Sequence, residues 1–167
     1  MLETPRLRIR PFRLGDAAAV IHGLCNFEVS RWLEHVPHPY EREDFPIYSD
    51  VDGLQKWPEF AAICLGTEVI GGIGVSDHLG YWLAEPHWGQ GFATEAARVM
   101  IRHHFNTTES ASLASGYFIG NDASARVLEK CGFRETERGL SYSRSNRCQM
   151  PHVWMELTRD AWSEDSV

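Results

Sequence analysis

The sequence predicts an α/β (α+β) fold: a mixed sheet flanked by helices, in the order β-α-α-β-β-β-α-β-α-β-β. Three observations carry this. Short apolar or alternating runs bounded by glycine or proline read as strands. Two longer segments, Thr94 to Phe105 and Asn121 to Cys131, place apolar residues at helical spacing. The two kinds of segment alternate through the second half of the chain instead of clustering apart.

Leu7 to Phe12 alternates apolar and polar residues, as a half-buried strand does. Gly15-Asp16 offers a helix cap, and Ala17 to Leu24 follows with helical spacing. Phe27 to Leu33 reads as a second short helix, broken by Pro37-His38-Pro39-Tyr40. Glu41 to Tyr48 reads as helical despite Pro46, and Asp50 to Gly53 has no clear period. Phe60 to Leu65 and Val69 to Val75 form a hairpin about Gly66-Thr67, and Leu79 to Ala84 follows after the short link Ser76-Asp77-His78. In the helix from Thr94 to Phe105, Ala97, Met100, Ile101 and His104 share one face. Leu113 to Ile119 is a strand. The next helix packs Ala125, Val127, Leu128 and Cys131 and stops at Gly132. Phe133 to Tyr142 and His152 to Thr158 are the closing strands.

At 167 residues, with 43% hydrophobic and 23% charged residues, the chain has the length and composition of one domain spanning 1–167. Its net charge of -7 argues against a nucleic-acid partner, because phosphate binding rests on Lys and Arg. The four cysteines, Cys25, Cys64, Cys131 and Cys148, form no CxxC pattern and read as reduced core thiols. His103 and His104 are adjacent and point about 100° apart, so they make no metal pair, and no metal is expected. No apolar run reaches membrane-span length and the N-terminus lacks a signal-peptide core, so the expectation is a cytoplasmic protein without a membrane partner.

The stretch PHWGQGFATE, Pro86 to Glu95, runs from a strand through two glycines into a helix. A helix start leaves about four amides unpaired and carries partial positive charge. Glycines let phosphate oxygens approach such amides closely. Gly89 to Thr94 should therefore cradle a phosphate or pyrophosphate. No GK[ST] follows, so this is not a Walker loop, and GxGxxG is incomplete, so it is not a dinucleotide fingerprint.

A second landmark is Asn121, Ser124, Lys130, Gly132 and Phe133, in the pattern N-x-x-S-x-x-x-x-x-K-x-G-F. Together with Gly89-Gln90-Gly91-Phe92-Ala93 it resembles the GNAT superfamily of acyl-coenzyme A N-acyltransferases. Glu3-Thr4-Pro5-Arg6-Leu7-Arg8, Trp32-Leu33, Gly80-Tyr81-Trp82-Leu83 and Leu157-Thr158-Arg159-Asp160-Ala161-Trp162 resemble its Rim-type branch, the ribosomal-protein N-terminal acetyltransferase-like group. The resemblance covers nearly the whole chain. It implies a mostly antiparallel sheet, acetyl-CoA as acyl donor, and a primary amine as acceptor, either a protein N-terminus or a small molecule. The oligomer is expected to be a monomer or homodimer. Trp88 stands where many superfamily loops have Gln or Arg. The link Ser76-Asp77-His78 is shorter than the acceptor-side connection of many Rim-type proteins.

The resemblance also implies roles. Gly89, Gln90, Gly91, Ala93 and Thr94 would hold the pyrophosphate. Trp82, Leu83 and Ala84 would pair the pantetheine arm like an extra strand. The Leu83 amide would polarise the thioester oxygen. Ser124 would protonate or stabilise the leaving thiolate, with Asn121 orienting the donor or a water. Capping explains Asn121 and Ser124 equally well. The helix carrying them has no tyrosine that could act as the acid. Candidates for a base are Glu34, His35, His38, Asp77, His78, Glu85 and His87; a water chain is the alternative. Tyr142 and Trp154 line the acceptor pocket or pack the core. Two further readings stand beside the enzyme: a CoA-binding module without efficient catalysis, acting as a sensor or partner protein, and an unrelated nucleotide-binding protein.

Overall fold

A computed structural model describes residues 1–45 and 59–162. Five strands form one sheet in chain order: β1 (Leu2–Glu3), β2 (Leu7–Pro11), β3 (Ala61–Leu65), β4 (Glu68–Val75) and β5 (Leu79–Leu83). A second sheet holds β6 (Ser112–Phe118), β7 (Arg134–Ser143) and β8 (Cys148–Thr158) in the order β6-β8-β7. Every pairing within the sheets is antiparallel. The helices are α1 (Ala17–Leu24), α2 (Phe27–Ser30), α3 (Phe92–Thr107) and α4 (Asp122–Lys130).

The predicted order is present with one addition. β1 has two residues, too few for a period, and exists because Leu2 and Glu3 align with Ile9 and Arg8 of β2. Asp16 does not cap α1. Its carboxylate accepts the Arg13 amide at 2.7 Å and receives Arg10 at 2.7 and 2.9 Å. The second helix is shorter than Phe27 to Leu33 suggests. Asn26 caps it by accepting the Glu28 amide at 2.9 Å, and it ends after one turn. Of the helix expected over Glu41 to Tyr48, only Arg42–Asp44 turns, as a single 3-10 turn; residues 46–48 and the stretch Asp50 to Gly53 lie outside the described residues. Two cysteines depart from the core reading. Cys64 and Cys131 are buried, whereas Cys25 and Cys148 are exposed, at the end of α1 and the start of β8.

Strand alternation sends side chains to two layers. On one face, Ile9, Ile63, Ile73, Leu79, Leu83, Val153, Met155 and Leu157 pack with Ala97, Met100 and Ile101 of α3 and Leu128 of α4. On the other, Ala62, Cys64 and Trp82 pack with Val20 and Leu24 of α1 and Val29 of α2. The α3 face read from the sequence is buried throughout, and burying a side chain the size of Met100 or Ile101 contributes about 1.5–3 kcal/mol.

The two sheets meet at one end of β5 and β6. His78 and Ala114 form a parallel bridge, the Ala114 amide donates to Asp77 O at 3.1 Å, and Ser115 Oγ donates to Leu79 O at 2.9 Å. Beyond that joint the strands part, and the residues along them line a cavity of about 1150 Å³.

Candidate active site

The backbone of β5 decides which of its amides face the opening. The Ala84 amide donates to Ile70 O at 2.9 Å, so residues 80, 82 and 84 turn their peptide groups to β4. Residues 79, 81 and 83 turn theirs away, toward the opening; Leu79 O accepts Ser115, and Leu83 O accepts the Trp88 indole N–H at 2.8 Å. Leu83 and Tyr81 thus face the gap, while the Trp82 and Ala84 peptide groups do not. Trp88 caps the Leu83 carbonyl and leaves its N–H for the opening.

The loop after β5 ends in Gly91, with φ 81°, a conformation costing an L-residue about 1–2 kcal/mol. A glycine there turns the chain directly into α3, two residues earlier than the sequence suggests. The first intrahelical bond is Glu95 N to Gly91 O, so the amides of Phe92, Ala93 and Thr94 are the orphan donors of the helix start. Gly89, Gly91, Ala93 and Thr94 line the cavity. Gln90 does not: its side chain donates to Pro86 O at 3.1 Å and its carbonyl accepts Arg6 at 3.0 Å.

Glu95, in the first turn of α3, would repel a phosphate if it faced the loop. It is engaged elsewhere. It accepts the Thr4 hydroxyl, the Arg6 amide at 3.1 Å and the Arg6 guanidinium at 2.6 and 2.7 Å. Burial alone would raise its pKa, but the Thr4 and Arg6 hydrogen bonds and the Arg6 charge outweigh that and hold the carboxyl below its ordinary value. Arg6 also lies over the Phe92 ring, 4.5 Å from its centroid. The N-terminal Thr4-Pro5-Arg6 segment is thereby bolted to the loop. Arg126 and Lys130 of α4 add cations to the cavity lining. Free amides, a glycine-opened backbone and nearby cations are a donor set that fits a diphosphate-bearing ligand.

Across the opening, Asn121 Oδ1 caps α4 by accepting the Ser124 amide at 3.2 Å. The capping alternative is therefore realised for Asn121, and both residues also line the cavity. The Ser124 hydroxyl lies 2.8 Å from the Tyr81 hydroxyl, which also reaches Ser124 O at 3.3 Å. Burial pushes the Tyr81 phenol well above its ordinary value, so it stays protonated. The α4 helix lacks a tyrosine, but β5 supplies one at its N-terminal turn. The period of two in Leu79-Gly80-Tyr81-Trp82-Leu83 puts Tyr81 on the layer of α3 and α4; that it reaches Ser124 is visible only in the folded chain.

The candidate bases separate. Glu34, His35, His78 and His87 line the cavity; His38, Asp77 and Glu85 do not. His35 is exposed, His87 sits 3.6 Å from Glu68, His38 pairs with Ser30 at 3.2 Å, and Glu85 receives the Asn26 amide group. The Glu34 carboxylate accepts the Ser141 hydroxyl. Tyr142 and Trp154 do not line the cavity; Tyr142 is exposed, and Trp154 packs against His152 at a tilt of 55°, 4.6 Å between centroids. His152 does line it, and sequence reading passes over it as the first residue of a strand. Among the described residues no group of three His, Cys, Asp or Glu could hold a metal ion, and no helix is long and apolar enough to cross a membrane.

The profile of the acetyltransferase (GNAT) domain family matches residues 6–134. The uncharacterised Bacillus subtilis protein YkkB is 44% identical over 54 residues, a segment covering 32% of this chain and only 31% of that protein. The uncharacterised N-acetyltransferase YoaA of Bacillus subtilis is 28% identical over 150 residues, 81% of this chain and 83% of that protein. The structure of Mycobacterium smegmatis RimJ in complex with CoA-disulfide superposes with a TM-score of 0.75 at 23% identity, over 92% of this chain and 82% of that one. Spermidine N-acetyltransferase from Vibrio cholerae, in complex with CoA and spermine, does so at 0.75 and 16% identity, over 95% and 98%.

Proposed function

From the premise that this chain belongs to the acetyltransferase (GNAT) domain family, and so is an acyltransferase, we propose that it transfers an acetyl group from acetyl-CoA to a primary amine, on a small molecule or a protein N-terminus. One observation carries the reading. A single cavity holds the orphan amides of α3, the Leu83 edge of β5 and the Ser124 hydroxyl. A donor gripped at its diphosphate by the first has its acyl end delivered between the other two.

The Phe92, Ala93 and Thr94 amides bind the diphosphate, with Gly89 and Gly91 keeping the approach open and Arg126 and Lys130 meeting phosphate charge. Leu83 and Tyr81 pair the donor's arm along β5, since theirs are the peptide groups turned to the gap. The Leu83 N–H hydrogen-bonds the carbonyl oxygen as negative charge grows there. The amine lone pair attacks the carbonyl carbon, the C–N bond forms and the C–S bond breaks. Ser124 gives a hydrogen bond or a proton to the departing sulfur. In the arrangement where Tyr81 donates to the Ser124 hydroxyl 2.8 Å away, the serine hydrogen is free for that task; a buried tyrosine is a poor ultimate proton source, so its role is to orient. Asn121 fixes the turn carrying Ser124.

The test is thiol release from purified protein with acetyl-CoA and a panel of N-terminal peptides, polyamines, aminoglycosides and simple alkylamines. Turnover on one amine class, reduced in Ser124→Ala and Asn121→Ala, is expected. Thermal stabilisation should be larger with CoA than with ADP, because the arm adds contacts along β5. Absence of any CoA-dependent shift refutes the proposal.

A further inference from the structure

The proposed reaction leaves one proton without a destination, and β8 holds a group suited to it. Alternation along β8 places Val153, Met155 and Leu157 in the layer of α3 and α4, the layer of Ser124. His152 therefore lies on the opposite face, at the wall of the same cavity. It pairs in register with Phe118 of β6, near the end of the strand that parts from β5. Its ring leans over Gly116, where a Cβ would collide with the Cε1 atom and come within 3.0 Å of Nε2. Phe118 meets it edge-on and Trp154 at a tilt, at centroid distances of 5.2 and 4.6 Å. The residue is only 5% exposed, and Nδ1 is fully buried with no hydrogen-bond partner among the described residues. Contact with a ligand therefore falls to Nε2.

We propose that His152 is the general base, taking a proton at Nε2 from the acceptor ammonium on the cavity face opposite Ser124. This rests on the acetyltransferase reading above. The nitrogen gives one proton to His152 and its lone pair then attacks the thioester carbon. The nitrogen loses its second proton as the adduct collapses to the amide, and the sulfur gains one. His152 passes its proton to solvent, so each turnover yields amide, CoA thiol and one free proton. Among the described residues, the charged or titrating groups whose field reaches His152 are Glu34, from the segment after α2, and His78, just before β5. Burial holds the imidazole below its ordinary pKa, His78 pushes the same way, and Glu34 opposes both. At neutral pH the ring is thus unprotonated, the form a base requires, and Glu34 stands ready to stabilise the imidazolium. Base and acid on opposite faces let the amine enter from one side while the thiolate leaves on the other.

The experiment compares kcat/KM for an α-amino peptide and for an alkylamine, pKa about 7.7 and 10.4, from pH 5.5 to 9.5 at saturating acetyl-CoA. Wild type, His152→Gln and His152→Ala are measured, with CoA-induced thermal shift as the folding control. A limb titrating as a histidine, at one pH for both amines, is expected. The variants should lose that limb and about a hundredfold in turnover, with unchanged CoA stabilisation, and added imidazole should restore part of the His152→Ala rate. Variants within about threefold of wild type at every pH overturn the proposal. A wild-type limb that merely follows the amine's own pKa overturns it too, even if neither variant folds. Protein that takes up acetyl-CoA yet acetylates no amine sinks the acetyltransferase reading, and His152 with it. Turnover without the histidine limb sinks His152 alone.

Discussion

Breaking the bolt between Glu95 and Arg6 should loosen the loop between β5 and α3 from a distance. The Glu95 side chain is 17% exposed and the Arg6 side chain 46% exposed. Hydrogen bonds to a charged group contribute about 1.5–3 kcal/mol when buried; the exposure of Arg6 reduces this pair to about 1–2 kcal/mol. Glu95→Gln should then lower Tm by about 2–8 °C, at 2–4 °C per kcal/mol for a chain of this size. Arg6→Ala should do the same, and the double variant should add little, leaving a coupling of about 1 kcal/mol. Because Arg6 also holds the Gln90 carbonyl, each single change should raise KM for acetyl-CoA by about three- to tenfold, with 1.4 kcal/mol corresponding to tenfold. The pH dependence follows from the lowered Glu95 pKa. The stabilisation is full above the ordinary glutamate value of about 4.3 and disappears as pH falls through the lower folded-state value. The Tm gap between wild type and Glu95→Gln should therefore be present at pH 7 and shrink below about pH 4. Differential scanning at several pH values and steady-state kinetics read both effects. A fall in Tm with no change in KM refutes the claim that the N-terminal segment positions the loop, and additive single effects refute the pairing.

Gly91→Ala forces an L-residue into φ 81° and brings a Cβ to 3.5 Å from Arg6 Nη2. It should cost about 1–2 kcal/mol and raise KM for acetyl-CoA, whereas the same change at Gly15, with open space around it, should leave KM alone; scanning calorimetry and kinetics check both. Tyr81→Phe removes the 2.8 Å contact to Ser124 and should lower kcat severalfold, about 1 kcal/mol, with KM unchanged; a kcat equal to wild type would remove Tyr81 from the site.

From residue 59 onward nearly every element was legible, because period and punctuation agree there: Gly66 turns the hairpin and Gly132 stops α4, both with positive φ. The segment from Asn26 to Phe45 was not, because it is shaped by single contacts. The Arg144 amide to Glu34 O at 2.9 Å and Cys25 Sγ to Tyr40 O at 2.9 Å are examples. The glycine-opened turn into α3 was visible as a string of glycines before a helix. The opposite wall of the cavity was legible in part: Glu34 and His78 stood among the sequence candidates, whereas His152 did not. The three come from separate elements and share no spacing; only the splay of β5 from β6 gives them one wall. Tyr81 was hidden for the same reason: its partner is 43 positions away.

The joint at His78, Ala114, Ser115 and Leu79 makes the two sheets the arms of a caliper. From His78 to Leu83 an extended strand runs roughly 16 Å at about 3.3 Å per residue. A tilt of about 3° at the joint would move the far tips by about 1 Å, a displacement that can cost a reaction about a hundredfold. The width of the opening therefore depends on a few ordinary hydrogen bonds at a pivot whose His78, Leu79 and Ser115 also line the cavity. The Ser115 hydroxyl, unremarkable by chemistry and spent on Leu79 O, is one of them.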